Sequence, residues 1–167
     1  MLTLIMNEVL MPSHNLESLL KDLGEKIELS HLEPTGNNNI TLLLKGNNEV
    51  VLQKHNTQPY LIISFEILEL PAGRFRENIF REALKFNHLN KAHEGIFAFS
   101  KKTQVFFLFD MLPFDEISGE QVNTIMQNLS EKVTLWKEAL NRGEIPTIGF
   151  SSLTSPGGGS SFFGIRP

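Results

Sequence analysis

The residues best suited to metal binding or acid–base chemistry are five histidines. They are His14, His31, His55, His88 and His93. No two of them are four positions apart, the spacing that places both rings on one face of a helix in zinc motifs. The carboxylates Glu66 and Glu69 fall in a predicted strand, where an odd spacing sends them to opposite faces, so we expect no acid–base pair. The sequence therefore predicts neither a metal nor a paired-carboxylate site, and no cofactor.

Motifs for nucleophilic or phosphate chemistry are also missing. The chain has no Cys and no Gly-x-Ser-x-Gly turn. Gly157-Gly-Gly159 is not followed by the Lys-Ser/Thr pair and helix of a phosphate loop. An enzyme is therefore the least favoured function class.

Composition limits the partners and the compartment. The 167 residues include 15 basic and 19 acidic side chains, a formal net charge of −4, which disfavours nucleic acid or an anionic membrane as the main partner. The absence of Cys fits a reducing compartment, so we expect a cytoplasmic protein. The apolar N-terminus lacks the basic start and small-residue cleavage site of a signal peptide.

Hydrophobic periodicity predicts one α+β domain with the order α-β-β-β-α-β-β-α, an antiparallel sheet with helices packed on it. The predicted helices cover residues 15–23, 74–88 and 118–142, the last opened by a Ser118/Gln121 capping box. The predicted strands cover residues 40–45, 49–54, 60–70, 95–100 and 104–111. We expect an N-terminal extension over 1–14, the domain over 15–143 and a flexible Gly/Ser-rich tail over 144–167.

Two predicted elements have apolar residues on both faces. In the second helix Phe75, Ile79, Ala83 and Phe86 share one stripe, whereas Phe80 and Leu84 point elsewhere. In the last strand Val105, Phe107 and Phe109 alternate with Phe106 and Leu108. We expect the first set to pack inward and the second to point outward. A small domain has few layers to cover so much apolar surface, so part of it should meet a partner.

The succession of motifs from Ala83 onward resembles the class I type III secretion chaperone family, also called the Tir-chaperone or SycE-like group. The similarity rests on five segments: Ala83-Leu-Lys-Phe-Asn87, Gly95-Ile-Phe-Ala-Phe99, the apolar strand 105–108, Leu112-Pro-Phe-Asp115, and a last helix with Trp136 and Ala139-Leu140. Their order and separations are those of the family, over about residues 15–142. Phe86 replaces the small residue that usually precedes the Asn at position 87.

The resemblance implies a homodimer that holds N-terminal segments of secreted effectors in an extended, non-globular state. Such a virulence-associated chaperone keeps its clients soluble and delivers them to the secretion apparatus, with the ATPase or sorting platform of that apparatus as a further expected partner. We expect effector binding at Leu16, Leu20, Leu43, Val51, Phe106 and Leu108. We expect the dimer interface at Phe80, Leu84, Phe97 and Phe99. The main alternative is a dimeric α+β adaptor or regulator that binds a folded partner.

Overall fold

The structure, a computed structural model, describes residues 16–28 and 39–147. The elements are α1 (Leu16–Lys26), β1 (Asn39–Leu44), β2 (Asn48–Lys54), β3 (Tyr60–Glu69), α2 (Arg74–Leu89), β4 (Ile96–Ser100), β5 (Val105–Pro113) and α3 (Gly119–Asn141). This order confirms the predicted α+β arrangement, and most predicted bounds are met within one or two residues. The predicted N-terminal extension and the tail from residue 148 lie outside the described residues.

The five strands form one antiparallel sheet in the order β1-β2-β3-β5-β4. After α2 the chain forms β4 and then β5. Strand β5 pairs with β3 on one side and with β4 on the other. Strands β1 and β4 are therefore the two edges of the sheet. A bulge in β3 shifts the pairing with β5 between Glu66 and Leu68.

The helices lie on one side of the sheet, which we call the inner face. Alternate strand residues that point to this face are buried: Ile40, Leu42, Val50, Leu52, Leu61, Ile63, Phe65, Phe97, Phe106, Leu108 and Leu112. Helix α3 covers the middle of this face, and α1 packs on α3. Helix α2 covers β4, where Phe86 contacts Phe97 and Trp136, with ring centroids 6.0 and 5.4 Å away. The opposite, outer face has no helix over it within the described residues.

The N-terminus of α3 fixes the position of α1. Ser118 and Gln121 form the predicted capping box, which satisfies backbone donors in the first turn. The Gly119 amide donates to Oδ2 of Asp22 at 2.6 Å. A Cβ on Gly119 would lie 2.4 Å from the backbone nitrogen of Leu23, so only glycine permits this approach of the two helices.

A buried polar cluster ties the β1–β2 hairpin to α3. The amide of Asn48, 2% exposed, donates to the carbonyl oxygen of Ser130 at 3.0 Å and to the hydroxyl of Thr134 at 2.6 Å. Nζ of Lys137 donates to the Asn48 carbonyl oxygen at 3.2 Å. Because the buried groups are paired, this cluster sets the position of the hairpin under α3 without an unsatisfied polar atom on Asn48.

Candidate functional site

The structure corrects the faces predicted for β5. Phe106 and Leu108, expected to point outward, are 1% and 0% exposed and belong to the core. The ring of Phe106 stacks on Phe97 at 5.4 Å and lies 5.6 Å from the ring of Trp136. The outward set is the one expected inside, namely the half-buried Val105, Phe107 and Phe109. A partner at the surface of this structure therefore cannot reach Phe106 or Leu108.

The other four residues predicted to bind effector fall in two places. Leu20 is buried in α1, and Leu16 at the start of that helix is half-buried against the core. Leu43 and Val51 lie on the outer face, where Leu43 is 69% exposed and Val51 is half-buried. The structure thus does not bring the six residues into one groove. Leu16, Leu43 and Val51 are the members with accessible side chains.

The two edges of the sheet differ in their free hydrogen-bonding capacity. At the β4 edge, the side chain of Asn87 imitates a neighbouring strand: its Nδ2 donates to the Phe97 carbonyl at 2.9 Å, and its Oδ1 accepts from the Phe97 amide at 2.8 Å. Nδ2 of Asn90 donates to the carbonyl of Gly95. Asn87 on α2 and Asn90 directly after the helix therefore block this edge.

The β1 edge has no such cover among the described residues. One side of β1 pairs with β2 from Asn39 to Leu44, and no described strand pairs with the other side. An unpaired strand edge presents backbone N–H and C=O groups that can accept another strand. The accessible Leu43 lies on this edge strand, so backbone pairing and apolar contact can occur at the same place.

The predicted dimer residues lie around α2. Leu84 is 67% exposed, whereas Phe97 is 5% exposed and is part of the core. Phe80 and Phe99 are half-buried with ring centroids 4.9 Å apart, and the Arg76 guanidinium lies 5.2 Å from the Phe99 ring. The structure therefore leaves Leu84 free for a partner and Phe80 and Phe99 partly accessible.

A charge cluster with one buried member, Asp110, lies between β5 and α3 and was not predicted from the sequence. Asp110 accepts from the Met111 amide at 2.7 Å, and its Oδ2 lies 3.7 Å from Nδ1 of His93. Burial raises the pKa of the Asp110 carboxyl above its ordinary value, while the Met111 amide and His93 act in the opposite direction. Burial lowers the pKa of Lys132, whose Nζ donates to the Glu94 carbonyl oxygen at 2.5 Å. The signal in the sequence was a single Asp within an apolar strand.

A wide groove of about 770 Å³ adjoins this cluster along the first turns of α3. Its lining includes His93, Pro113, Ser118, Gln121 and Ile125. Within residues 16–28 and 39–147, no three His, Asp or Glu side chains are grouped so that they could hold a metal ion. Among those residues there is also no helix with the length and apolar character needed to cross a bilayer.

Glu66 and Glu69 share one face of the sheet, contrary to the prediction. Glu66 pairs with Phe107 and Glu69 with Val105, which are alternate residues of β5 and so point to the same side. The bulge in β3 supplies the extra residue that changes the parity. Both carboxylates are exposed on the outer face, together with Leu43 and Val51.

The sequence profile of the Tir chaperone protein (CesT) family matches residues 18–137, from α1 to the last turns of α3. The chain belongs to this family. The match includes all five strands and α2 and most of α1 and α3, and it confirms the resemblance to secretion chaperones. Among curated protein sequences, none matches the chain.

Solved structures of secretion chaperones have the fold of this family member. A chain of the HopA1-SchA chaperone-effector complex superposes with a TM-score of 0.62 at 18% identity, over 74% of this chain and 93% of that chain. A chain of the ExsC-ExsE complex gives 0.59 at 20% identity, over 73% and 90%. The Yersinia pestis type III secretion chaperone SycH, solved with a fragment of YscM2, gives 0.56 at 18% identity, over 71% and 97%.

Proposed function

We propose that this protein of the CesT family is a type III secretion chaperone that holds an N-terminal segment of a secreted effector in an extended state at the β1 edge. Family membership over residues 18–137 supports the chaperone role. The observation that carries the choice of site is the contrast between the two edges: no described strand pairs with the outer side of residues 40–44 in β1, whereas Asn87 blocks the β4 edge. The solved chaperone–effector complexes with this fold agree with the role.

Strand addition explains how such a protein binds without recognising a folded surface. The client forms main-chain hydrogen bonds with β1, and these bonds are independent of its sequence. Its alternate side chains point to the outer face, where Leu43 and Val51 offer apolar contact. Leu16 is the accessible member of the predicted set on α1. Leu20, Phe106 and Leu108 support the sheet from within the core and do not contact the client.

The role needs no catalysis and no cofactor, because the client is bound and released without a covalent change. It also places the protein in the cytoplasm with its clients before they are secreted. We propose that the chaperone acts as a homodimer, with exposed Leu84 on α2 at the interface. Binding to the ATPase or sorting platform would follow from delivery of the client and stays a prediction.

Hydrogen exchange on the complex tests the site. Clients are first identified by co-purification from the native host, and the isolated N-terminal segment of a client is then added to the full chain. We expect amide protection in residues 40–44 to increase, because the added strand pairs with them, while β4 is unchanged. Leu43→Glu should weaken binding about tenfold, which is about 1.4 kcal/mol and less than the value of a fully buried Leu.

Leu89→Glu is the matched control for this test, since Leu89 is 60% exposed and lies at the end of α2, away from β1. It should bind the segment like the wild type. Binding that requires the folded partner and fails with the isolated segment would instead identify an adaptor. Protection at β4 and not at β1 would contradict the proposed site.

A further inference from the structure

The outer face of the sheet carries a continuous apolar ridge along β5. Its members are the half-buried residues Val105, Phe107, Phe109 and Met111. The rings of Phe107 and Phe109 have centroids 5.9 Å apart. Six residue steps at about 3.3 Å each make the ridge about 20 Å long. Ile62 and Ile96, the cross-strand neighbours of Met111 and Phe109, extend the apolar surface to both sides.

The charged residues that the strands carry on this face have one sign. Glu49, Glu66 and Glu69 are exposed and point to the outer face, since Glu49 pairs with Leu43 and the other two pair with ridge residues. The described strands place no Lys or Arg on the same face. A partner that covers the ridge must therefore bring its own positive charges to these carboxylates.

The backbone of the ridge determines which kind of element can lie there. Strand β5 is paired on both sides, with β3 and with β4, so its N–H and C=O groups are already used. An extended peptide on this face would bury its own backbone groups without partners, which is costly. A helix satisfies its backbone internally and offers an apolar stripe to a sheet.

We propose that the outer face is a docking surface for a basic amphipathic helix of a partner protein, separate from the strand-binding edge. A helix of about 13 residues matches the 20 Å ridge. Its apolar stripe covers Phe107 and Phe109, and its Lys or Arg residues pair with Glu49, Glu66 and Glu69.

The charges also argue against two other occupants of the outer face, namely a segment of this chain outside the described residues and a second copy of the chain. Residues 1–15, 29–38 and 148–167 lie outside the described residues. Together they contain a single Lys or Arg, namely Arg166. A second copy across a two-fold axis would set three glutamates against three glutamates. Neither arrangement brings a Lys or Arg from a strand or from an undescribed segment, apart from Arg166, to these glutamates.

Two synthetic helical peptides of about 18 residues test the proposal on the full chain. They share one leucine stripe and differ only in the remaining positions, which are Lys in one and Glu in the other. We expect the Lys peptide to bind at least about tenfold more tightly at low salt, and to lose affinity as salt increases. Glu66→Lys should weaken the Lys peptide about fivefold or more, and Phe109→Ser should weaken it further.

The matched control is Glu77→Lys, which makes the same change of net charge at an exposed position of α2. It should change the affinity less than about twofold, because Glu77 is away from the outer face. Circular dichroism checks that each variant is folded. Equal loss of affinity in Glu66→Lys and Glu77→Lys would overturn the proposal, as would equal binding of the two peptides. Conversion of a wild-type dimer to a monomer by Phe109→Ser would assign the face to a second copy.

Discussion

Truncation of the inward side chains of β5 should remove most of the stability of the domain. Leu108 is 0% exposed and Phe106 is 1% exposed. Leu→Ala at buried sites costs about 2 to 5 kcal/mol and Phe→Ala about 3 to 5 kcal/mol, because each leaves a cavity as well as losing buried area. The two side chains pack in the same core, so the losses of stability that the two substitutions cause are not strictly additive. A combined loss of about 5 to 8 kcal/mol is comparable with the whole stability of a typical domain, about 5 to 15 kcal/mol.

The matched comparison is the outward pair on the same strand, Phe107→Ala with Phe109→Ala. These side chains are half-buried and leave no closed cavity when truncated, so we expect the double variant to lose about 1 to 2 kcal/mol. The two double variants therefore differ by several kcal/mol although they change the same strand.

Urea denaturation, monitored by circular dichroism and by the fluorescence of Trp136, measures the difference in the free energy of unfolding. Trp136 is the single Trp of the chain, and its ring lies 5.6 Å from that of Phe106, so its emission reports on the inner face. The wild type and the two double variants are compared at one protein concentration, since dimerisation would make the unfolding midpoint depend on concentration. A stable inward variant with unchanged Trp136 emission would refute the assignment of the two faces.

Two further predictions concern charge and assembly. Because burial raises the pKa of Asp110, the folded state holds that proton more tightly, and the carboxyl contributes stability at low pH that is lost as the pH rises from 3.8 through the folded pKa. In urea titrations, the free energy of unfolding of Asp110→Asn should therefore increase relative to that of the wild type as the pH increases. A difference between the two proteins that does not change with pH would contradict the raised pKa. Leu84→Glu should convert the proposed homodimer to a monomer of 18.9 kDa in light scattering, with Leu43→Glu as a dimeric control; a wild-type monomer would end that proposal.

The sequence was sufficient to predict elements whose signals are local. Helix α3 has a capping box at Ser118 and Gln121 and a long apolar stripe that ends before Gly143, and both its type and its start are confirmed. The strand order along the chain is confirmed for the same reason, since turn residues separate the apolar runs. Local signals also gave the family, because its motifs follow each other in order.

The faces of the sheet could not be predicted from alternation alone. In β5 both sets are apolar, and the inward set contains Asp110, so ranking by hydrophobicity selects the wrong one. Burial is decided by the contact of Phe106 with Phe97 and Trp136, which depends on how α2 and α3 close over the sheet. The position of Glu69 was missed for a similar reason, because a bulge is a property of the pairing and leaves no clear mark in one strand.

The open β1 edge and the blocked β4 edge of the sheet have different consequences for a protein that binds extended chains. A sheet with two open edges could accept a client at either end, and it could also join edge to edge with other copies. Asn87 and Asn90 prevent this at β4, because their side chains take up the groups on Phe97 and Gly95 that a further strand would need. Asn87 lies on α2, the same helix that carries the exposed Leu84, and Asn90 directly follows the helix. The helix proposed for dimerisation thus also closes one edge of the sheet, which leaves β1 as the single open edge within the described fold.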